Sequence, residues 1–219
     1  MAKPNNKKDV NQGTSLMSGK DIGMSREAEA ALTKSAVPFQ FLTLLQGGSD
    51  IVMKRTLKGA AGGMYVLGKQ KLLGDEFLAV PSISRPRAMI FEDGQVTLET
   101  FDPSSEAWGK CKAQKKGGNT GIEFLLWIPD EECFATFYFK NTAKSVGAKV
   151  VEAREARQLA CFTSTMIEGK ENSWYVPVVE GVDADGPVVM PTEEQQQEAL
   201  LAFESYKQET KAPEPKRAR

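Results

Sequence analysis

The segment from Ile122 to Val179 constrains the fold of this chain more than any other. Its apolar runs are short and bounded by turn residues. Ile122-Glu123-Phe124-Leu125-Leu126-Trp127-Ile128 is apolar and aromatic, and Pro129-Asp130 stops it. Phe134 to Phe139 follows with β-branched and aromatic residues. Asn141 or Thr142 can then cap a helix in which Ala143, Val146, Gly147 and Val150 fall at i, i+3, i+4 and i+7, one apolar stripe. Leu159 to Met166 reads as the next strand, Glu168-Gly169-Lys170-Glu171-Asn172 as a turn, and Trp174 to Val179 as a last strand.

Two further strands precede this segment. Phe77 to Val80 and Ile83 to Phe91 read as one long bent strand, where Pro81 and Pro86 demand an edge or a bulge. Asp93-Gly94 is a hairpin turn leading into Gln95 to Phe101. A helix lodged between the third and fourth strands of a small β unit predicts a mainly β (α+β) fold. It would be an OB-like five-stranded barrel with added N-terminal elements and a C-terminal helix. Residues 1–24 are polar and mildly basic and are expected to be a disordered tail, with a short helix over Ser25 to Lys34. One OB-like domain over 25–206 and a flexible basic tail over 207–219 complete the expected organisation. Val37 to Leu45 opens the ordered body with no clear period. Leu57 to Gly74 is glycine-rich and reads as a flexible or bulged connection, and Asp102 to Gly121 as a long loop. Thr192-Glu193-Glu194-Gln195 is a capping box for a helix that docks Leu200, Phe203 and Tyr206.

The chain has no histidine. Ser-His-Asp and Cys-His nucleophilic sites and histidine-based metal centres are therefore excluded. The three cysteines, Cys111, Cys133 and Cys161, form no C-x-x-C pair, so neither a zinc site nor a disulfide framework is expected, and Cys161 reads as core. No run of some twenty apolar residues and no signal-peptide pattern is found, so the expectation is a protein that stays in the cytoplasm, away from membranes. With a net charge of −1, attraction to nucleic acid must come from a local patch.

Three constellations compete for function. The first is a basic, aromatic surface on which bases stack while cations follow the phosphates. Strand alternation sets Phe137 and Phe139 on one face, and Tyr138 with Lys140 on the other. Arg85 and Arg87 share a face of the bent strand. Trp108 neighbours Lys110, Lys112, Lys115 and Lys116 in the long loop. Trp127 lies opposite Ile122, Phe124, Leu126 and Ile128, where it serves either as core or as a stacking platform. The second is a Mg²⁺-dependent nuclease built on Glu168-Gly169-Lys170 with Asp130, Glu131 and Glu132, residues that a hairpin turn and a polar loop explain equally. The third, a phosphate loop at Gly59 to Gly63, matches no phosphate-binding pattern.

The chain resembles a group of bacteriophage proteins found among replication and recombination genes. The shared features are Pro38 to Gln46, Phe137-Tyr138-Phe139-Lys140-Asn141-Thr142-Ala143-Lys144, Trp174-Tyr175-Val176-Pro177-Val178-Val179, and Glu193-Glu194 opening a last helix. The resemblance covers residues 37 to 206. It implies an OB-like fold and a non-catalytic role on single-stranded DNA in the host bacterial cytoplasm, with phage or host replication proteins as further partners and self-association left open. Cys111 stands alone where some such proteins carry a cysteine cluster, so no metal and no cofactor is carried over. The sequence Pro215-Lys216-Arg217-Ala218-Arg219 departs from the acidic tip by which cellular single-strand binders recruit partners. The alternative function is a virion or assembly protein whose aromatic strands make subunit contacts.

Overall fold

The computed structural model describes residues 39–68, 70–92, 95–169 and 172–209. The chain divides into two units, residues 1–37 and 38–219, and everything described belongs to the second. The expected N-terminal tail, the helix at 25–34, the turn residues Asp93 and Gly94, and residues 210–219 of the expected C-terminal tail lie outside the described residues, whereas 207–209 of that tail belong to the last helix.

The elements run β1 (Phe39–Leu44), α1 (Asp50–Met53), β2 (Tyr65–Leu67), β3 (Lys71–Gly74), β4 (Phe77–Glu92), β5 (Gln95–Thr100), α2 (Glu106–Ala113), β6 (Gly118–Ile128), β7 (Cys133–Lys140), α3 (Lys144–Glu155), β8 (Leu159–Glu168), β9 (Ser173–Val182) and α4 (Glu193–Glu209). The succession β6, β7, α3, β8, β9 is the one the sequence pattern predicts. On α3, Ala143 at the cap, Gly147 and Val150 are buried. Among the described residues no helix is long and apolar enough to cross a membrane.

The nine strands form one mainly antiparallel sheet in the order β3-β2-β1-β7-β6-β4-β8-β9, with β5 added on β4. It does not close, so the five-stranded barrel is corrected to an open, larger sheet. The physical reason lies in residues 39–74. They supply three strands instead of an ambiguous run and a flexible connection, and β1 takes the free edge of β7 in parallel, pairing Phe39 with Phe134 and Phe41 with Thr136.

The long bent strand is β4, and it changes partners along its length. Phe77 to Ala79 pair with β8, Val80 to Ile90 with β6, and Ala88 to Glu92 with β5. Between the β8 and β5 pairings, no described strand lies on that edge of β4, and Pro86 is tolerated there without its N–H. The ladder slips between Pro81 and Ser84, giving the bulge that the prolines demand.

Both faces of the central strands are covered. One face carries Phe124, Leu126, Phe137, Phe139 and Phe162 and packs against Val150 and Ala153 of α3. Phe77 stacks on Phe162 at 4.7 Å, and Phe137 meets Phe139 edge-on at 4.7 Å. The other face carries Phe39, Leu125, Trp127 and Phe134 under Ala199 and Phe203 of α4. The near-continuous apolar run of β6 is the sequence trace of this double burial. The capping box of α4 forms: Gln195 N donates to Thr192 Oγ1 at 3.2 Å, and Thr192 N to Gln195 Oε1 at 2.9 Å.

Side chains tie the two wings of the curled sheet across its open side. The Gln46 amide donates to the Tyr175 carbonyl at 3.0 Å and accepts from the Tyr175 N–H at 2.8 Å. Tyr65 Oη donates to the Thr163 carbonyl at 2.6 Å. Gly63, at φ +88°, leaves room for the Tyr175 ring, which a Cβ there would approach to 2.8 Å.

Candidate nucleic-acid interface

The ten predicted surface residues separate into three groups. Arg85 and Arg87 do share a face of β4, as alternation requires, but both are buried. Arg85 faces Glu123 of β6 across the ladder, with its Nε 2.7 Å from Glu123 Oε2. Arg87 donates from Nη1 to the other Glu123 oxygen and from Nε to Glu99 of β5 at 2.6 Å. The Arg85 guanidinium is held between the rings of Phe101 and Phe203, each 4.0 Å away, and donates to the Phe203 carbonyl of α4. Burial pushes the Arg85 pKa down against the pull of Glu123. Burial acts the same way on Arg87, but Glu123 and Glu99 together carry it up. Two cations and two carboxylates cancel, and α4 covers them. These arginines are corrected from phosphate ligands to a buried ionic cluster.

Trp127 is also corrected. It is 2% exposed, it packs edge-on against Phe134 at 5.0 Å, and its indole N–H donates to the Val189 carbonyl at 2.7 Å. Trp108 is half-buried on α2, within the segment that the sequence presents as a loop. That helix exists because Ser105 caps it, accepting from Trp108 N at 3.2 Å. Lys110 and Lys112 are exposed on the helix, Lys110 paired with Glu106 at 2.9 Å, and Lys115 and Lys116 are exposed beyond it. Cys111 on the same helix is the buried cysteine, whereas Cys161 is only half-buried.

Tyr138 and Lys140 lie where a groove opens. β1 pairs with β7 only up to Thr136 and then diverges to pair with β2. The outer edge of β7 beyond Thr136 is thereby left without a strand among the described residues. The groove, of about 450 Å³, is bounded by Leu42 to Leu44 of β1, by Phe137 to Asn141, and by Trp174 to Pro177 of β9. Lys140 is exposed, and among the described residues no ion pair engages it. Trp174 is 40% exposed. Tyr138 is half-buried, with its hydroxyl donating to the Arg87 carbonyl at 3.0 Å and the Arg87 guanidinium 5.3 Å from its ring. Burial pushes its pKa well above the ordinary tyrosine range. The structure therefore joins Tyr138 and Lys140 in one groove, but the lysines of 110–116 do not line it.

Trp174 is the residue that sequence reasoning misses as a ring for stacking. The pattern presents it only as the start of a strand. Its exposure follows from the edge position of β9, which the local sequence does not reveal. The nuclease residues do not converge: Lys170 lies outside the described residues, Glu131 pairs with Lys71, and no three acidic or thiol side chains among the described residues gather around a metal-sized site.

No family model matches this chain, nor does any curated protein or solved structure.

Proposed function

We propose that this protein binds single-stranded DNA, without catalysis, through the groove between β1, β7 and β9. The observation that carries the reading is the pairing of an exposed tryptophan with an unengaged lysine in one open groove. Trp174 offers a face on which a base stacks, and Lys140 a cation for the phosphate that follows it. The setting, a phage replication or recombination module acting in an infected bacterium, draws on the sequence resemblance.

The test is a titration of labelled oligonucleotides, single- and double-stranded, at two salt concentrations. Single strands should bind better, with affinity falling as salt rises. Trp174→Ala should lose about 1–3 kcal/mol of binding, the range typical of base stacking, while its melting temperature stays near wild type. Undiminished binding by that variant, or no binding at low salt, overturns the reading.

The assembly-protein alternative has its own support. Among the described residues the outer edge of β7 beyond Thr136 has no strand, and Phe41, Met166 and Ile167 are exposed. An extended peptide can add to such an edge. Peptide capture would be nearly insensitive to salt, so the same titration separates the two.

A further inference from the structure

α4 covers only part of the sheet face on which it packs. Beneath it are Phe39 of β1, Leu125 and Trp127 of β6 and Phe134 of β7, and it reaches β4 at Val80 and Ile83. The same face continues onto β8 and β9. Val80 stands opposite Trp127, so the two share it, and alternation along β4 adds Leu78. Leu78 pairs with Cys161 of β8, and Leu159 of β8 with Val182 of β9. An apolar sheet face is ordinarily buried under a second layer. Here Leu78, Cys161 and Val182 are only half-buried.

Above them is a cleft of about 440 Å³, and no residue of α4 lines it. Its opposite wall is the segment Asp183 to Val189, which leads towards α4. That wall is pinned where the Trp127 indole N–H donates to the Val189 carbonyl at 2.7 Å. The Val189 residue is 53% exposed at the cleft.

The charge at the opening is one-sided. Glu76, Asp130, Asp183 and Asp185 line it, all in exposed residues, and no lysine or arginine does. Among the described residues no ion pair engages any of the four. Asp183 accepts from the Gln158 amide at 3.1 Å, a neutral partner that leaves its charge in place. Lys71 is taken by Glu131. Arg154 and Arg157 line an adjoining pocket that shares only Asp183 of the four, and Arg154 donates to the Ser82 carbonyl at 3.3 Å.

These two features select the occupant together. The carboxylates repel phosphates and acidic surfaces and attract cations. The apolar walls reward an aliphatic side chain, which a bare hydrated cation does not supply. We propose that this cleft docks a partner protein through a short segment whose aliphatic side chains are flanked by lysine or arginine. No residue lines both this cleft and the groove of β1, β7 and β9, so the inference stands apart from nucleic-acid binding.

The experiment titrates the full chain with three fluorescent heptapeptides. One alternates leucine with lysine, the second has glutamate in place of lysine, and the third has serine in place of leucine. The first should bind, more weakly as salt rises, and about tenfold or more tighter than either counterpart. Val189→Ser should weaken it about tenfold and leave its salt dependence unchanged. Glu76→Gln with Asp183→Asn should weaken it at low salt and flatten that dependence. All three positions are exposed, and a thermal melt checks that each variant is folded. Equal binding of the serine peptide would reduce the cleft to a diffuse acidic surface and overturn the proposal. So would unchanged binding by either variant, or no binding at low salt. Two other occupants read out separately, and either also overturns it. Loss of oligonucleotide binding by Val189→Ser would assign the cleft to nucleic acid. Self-association in sedimentation that Val189→Ser abolishes would assign it to a second copy. Undiminished oligonucleotide binding by Trp174→Ala sinks the groove reading and leaves this one intact.

Discussion

Arg87 and Lys140 stand in one transverse row of the sheet. Arg87 of β4 pairs with Gly121 of β6, which pairs with Lys140 of β7. In a parallel row, Arg85 pairs with Glu123, which pairs with Tyr138. These cations belong to one face of one sheet, yet their fates differ. The arginines have Glu123 and Glu99 within reach and α4 above them, and they are sealed into a neutral cluster. Lys140 has a glycine for its cross-strand neighbour and lies beyond the point where β1 leaves β7, so it stays open to solvent. Whether a basic side chain is available to a ligand is thus decided by its neighbours across the ladder, more than by the face its own strand gives it.

The largest effect expected from this contrast is at Glu123. Its carboxylate serves both arginines and is 1% exposed. Glu123→Ala leaves two buried guanidiniums short of a partner and should cost about 3–5 kcal/mol, the usual penalty for breaking a buried ion pair. Urea unfolding measures it. A loss below about 1 kcal/mol would show that the cluster relaxes freely and that α4 is not held by it.

Gln46 comes next. It acts as a one-residue strand, satisfying both backbone groups of Tyr175. Gln46→Ala removes two half-buried hydrogen bonds and should cost about 1–3 kcal/mol. Hydrogen exchange at the Tyr175 amide should rise with it. If that amide stays protected, another group holds the two wings together.

These two residues also mark what sequence alone can supply. Alternation correctly places Arg85 with Arg87 and Phe137 with Phe139, because side-chain period in a strand is a local property. It does not reveal that Glu123 lies opposite Arg85, since register is set by pairing between segments far apart in the chain. The capping box of α4 is legible from Thr192 to Gln195, because its bonds are local. The face that α4 covers is not legible, and for that reason Trp127 and both arginines enter the predicted surface. Residues 57–74 look like a connection, since β2 and β3 are short and the glycines around them obscure the period. β2 pairs with β1 and β3 with β2, and these strands extend the sheet beyond the five of a barrel.

Tyr138 sits on the border between the two regions, and its expected effect is smaller. Alternation alone gives a free ring. The structure gives a half-buried phenol that donates to the Arg87 carbonyl. Tyr138→Phe should therefore cost about 1 kcal/mol, one hydrogen bond, in urea unfolding. The pH dependence has a definite sign. Burial raises the folded pKa of this phenol, so its contribution is intact below the unfolded tyrosine value of about 10 and is lost as pH climbs above that. A Tyr138→Phe protein should lack that share of the alkaline destabilisation. If the two proteins lose stability equally above a pH of about 10, the phenol is solvated and its bond to the Arg87 carbonyl does not hold it.

The smallest effect on stability is expected at Lys140, where the comparison is sharpest. An exposed side chain with a glycine opposite and no ion pair among the described residues contributes little to the fold. Lys140→Ala should leave the unfolding free energy within about 0.5 kcal/mol of wild type. Its effect should appear in binding. Giving up one phosphate on a single strand changes the slope of log affinity against log salt by about 0.7. The matching control neutralises Lys110, Lys112, Lys115 and Lys116 together. Those lysines lie outside the groove, so the slope should change by far less than the sum of about 0.7 per phosphate that four engaged lysines would give. A full change from the four lysines with none from Lys140 would move the nucleic-acid path off the groove and onto the α2 segment. A change from Lys140 alone would fix it where β1 and β7 part, on a stretch of this face that neither a carboxylate nor α4 has closed.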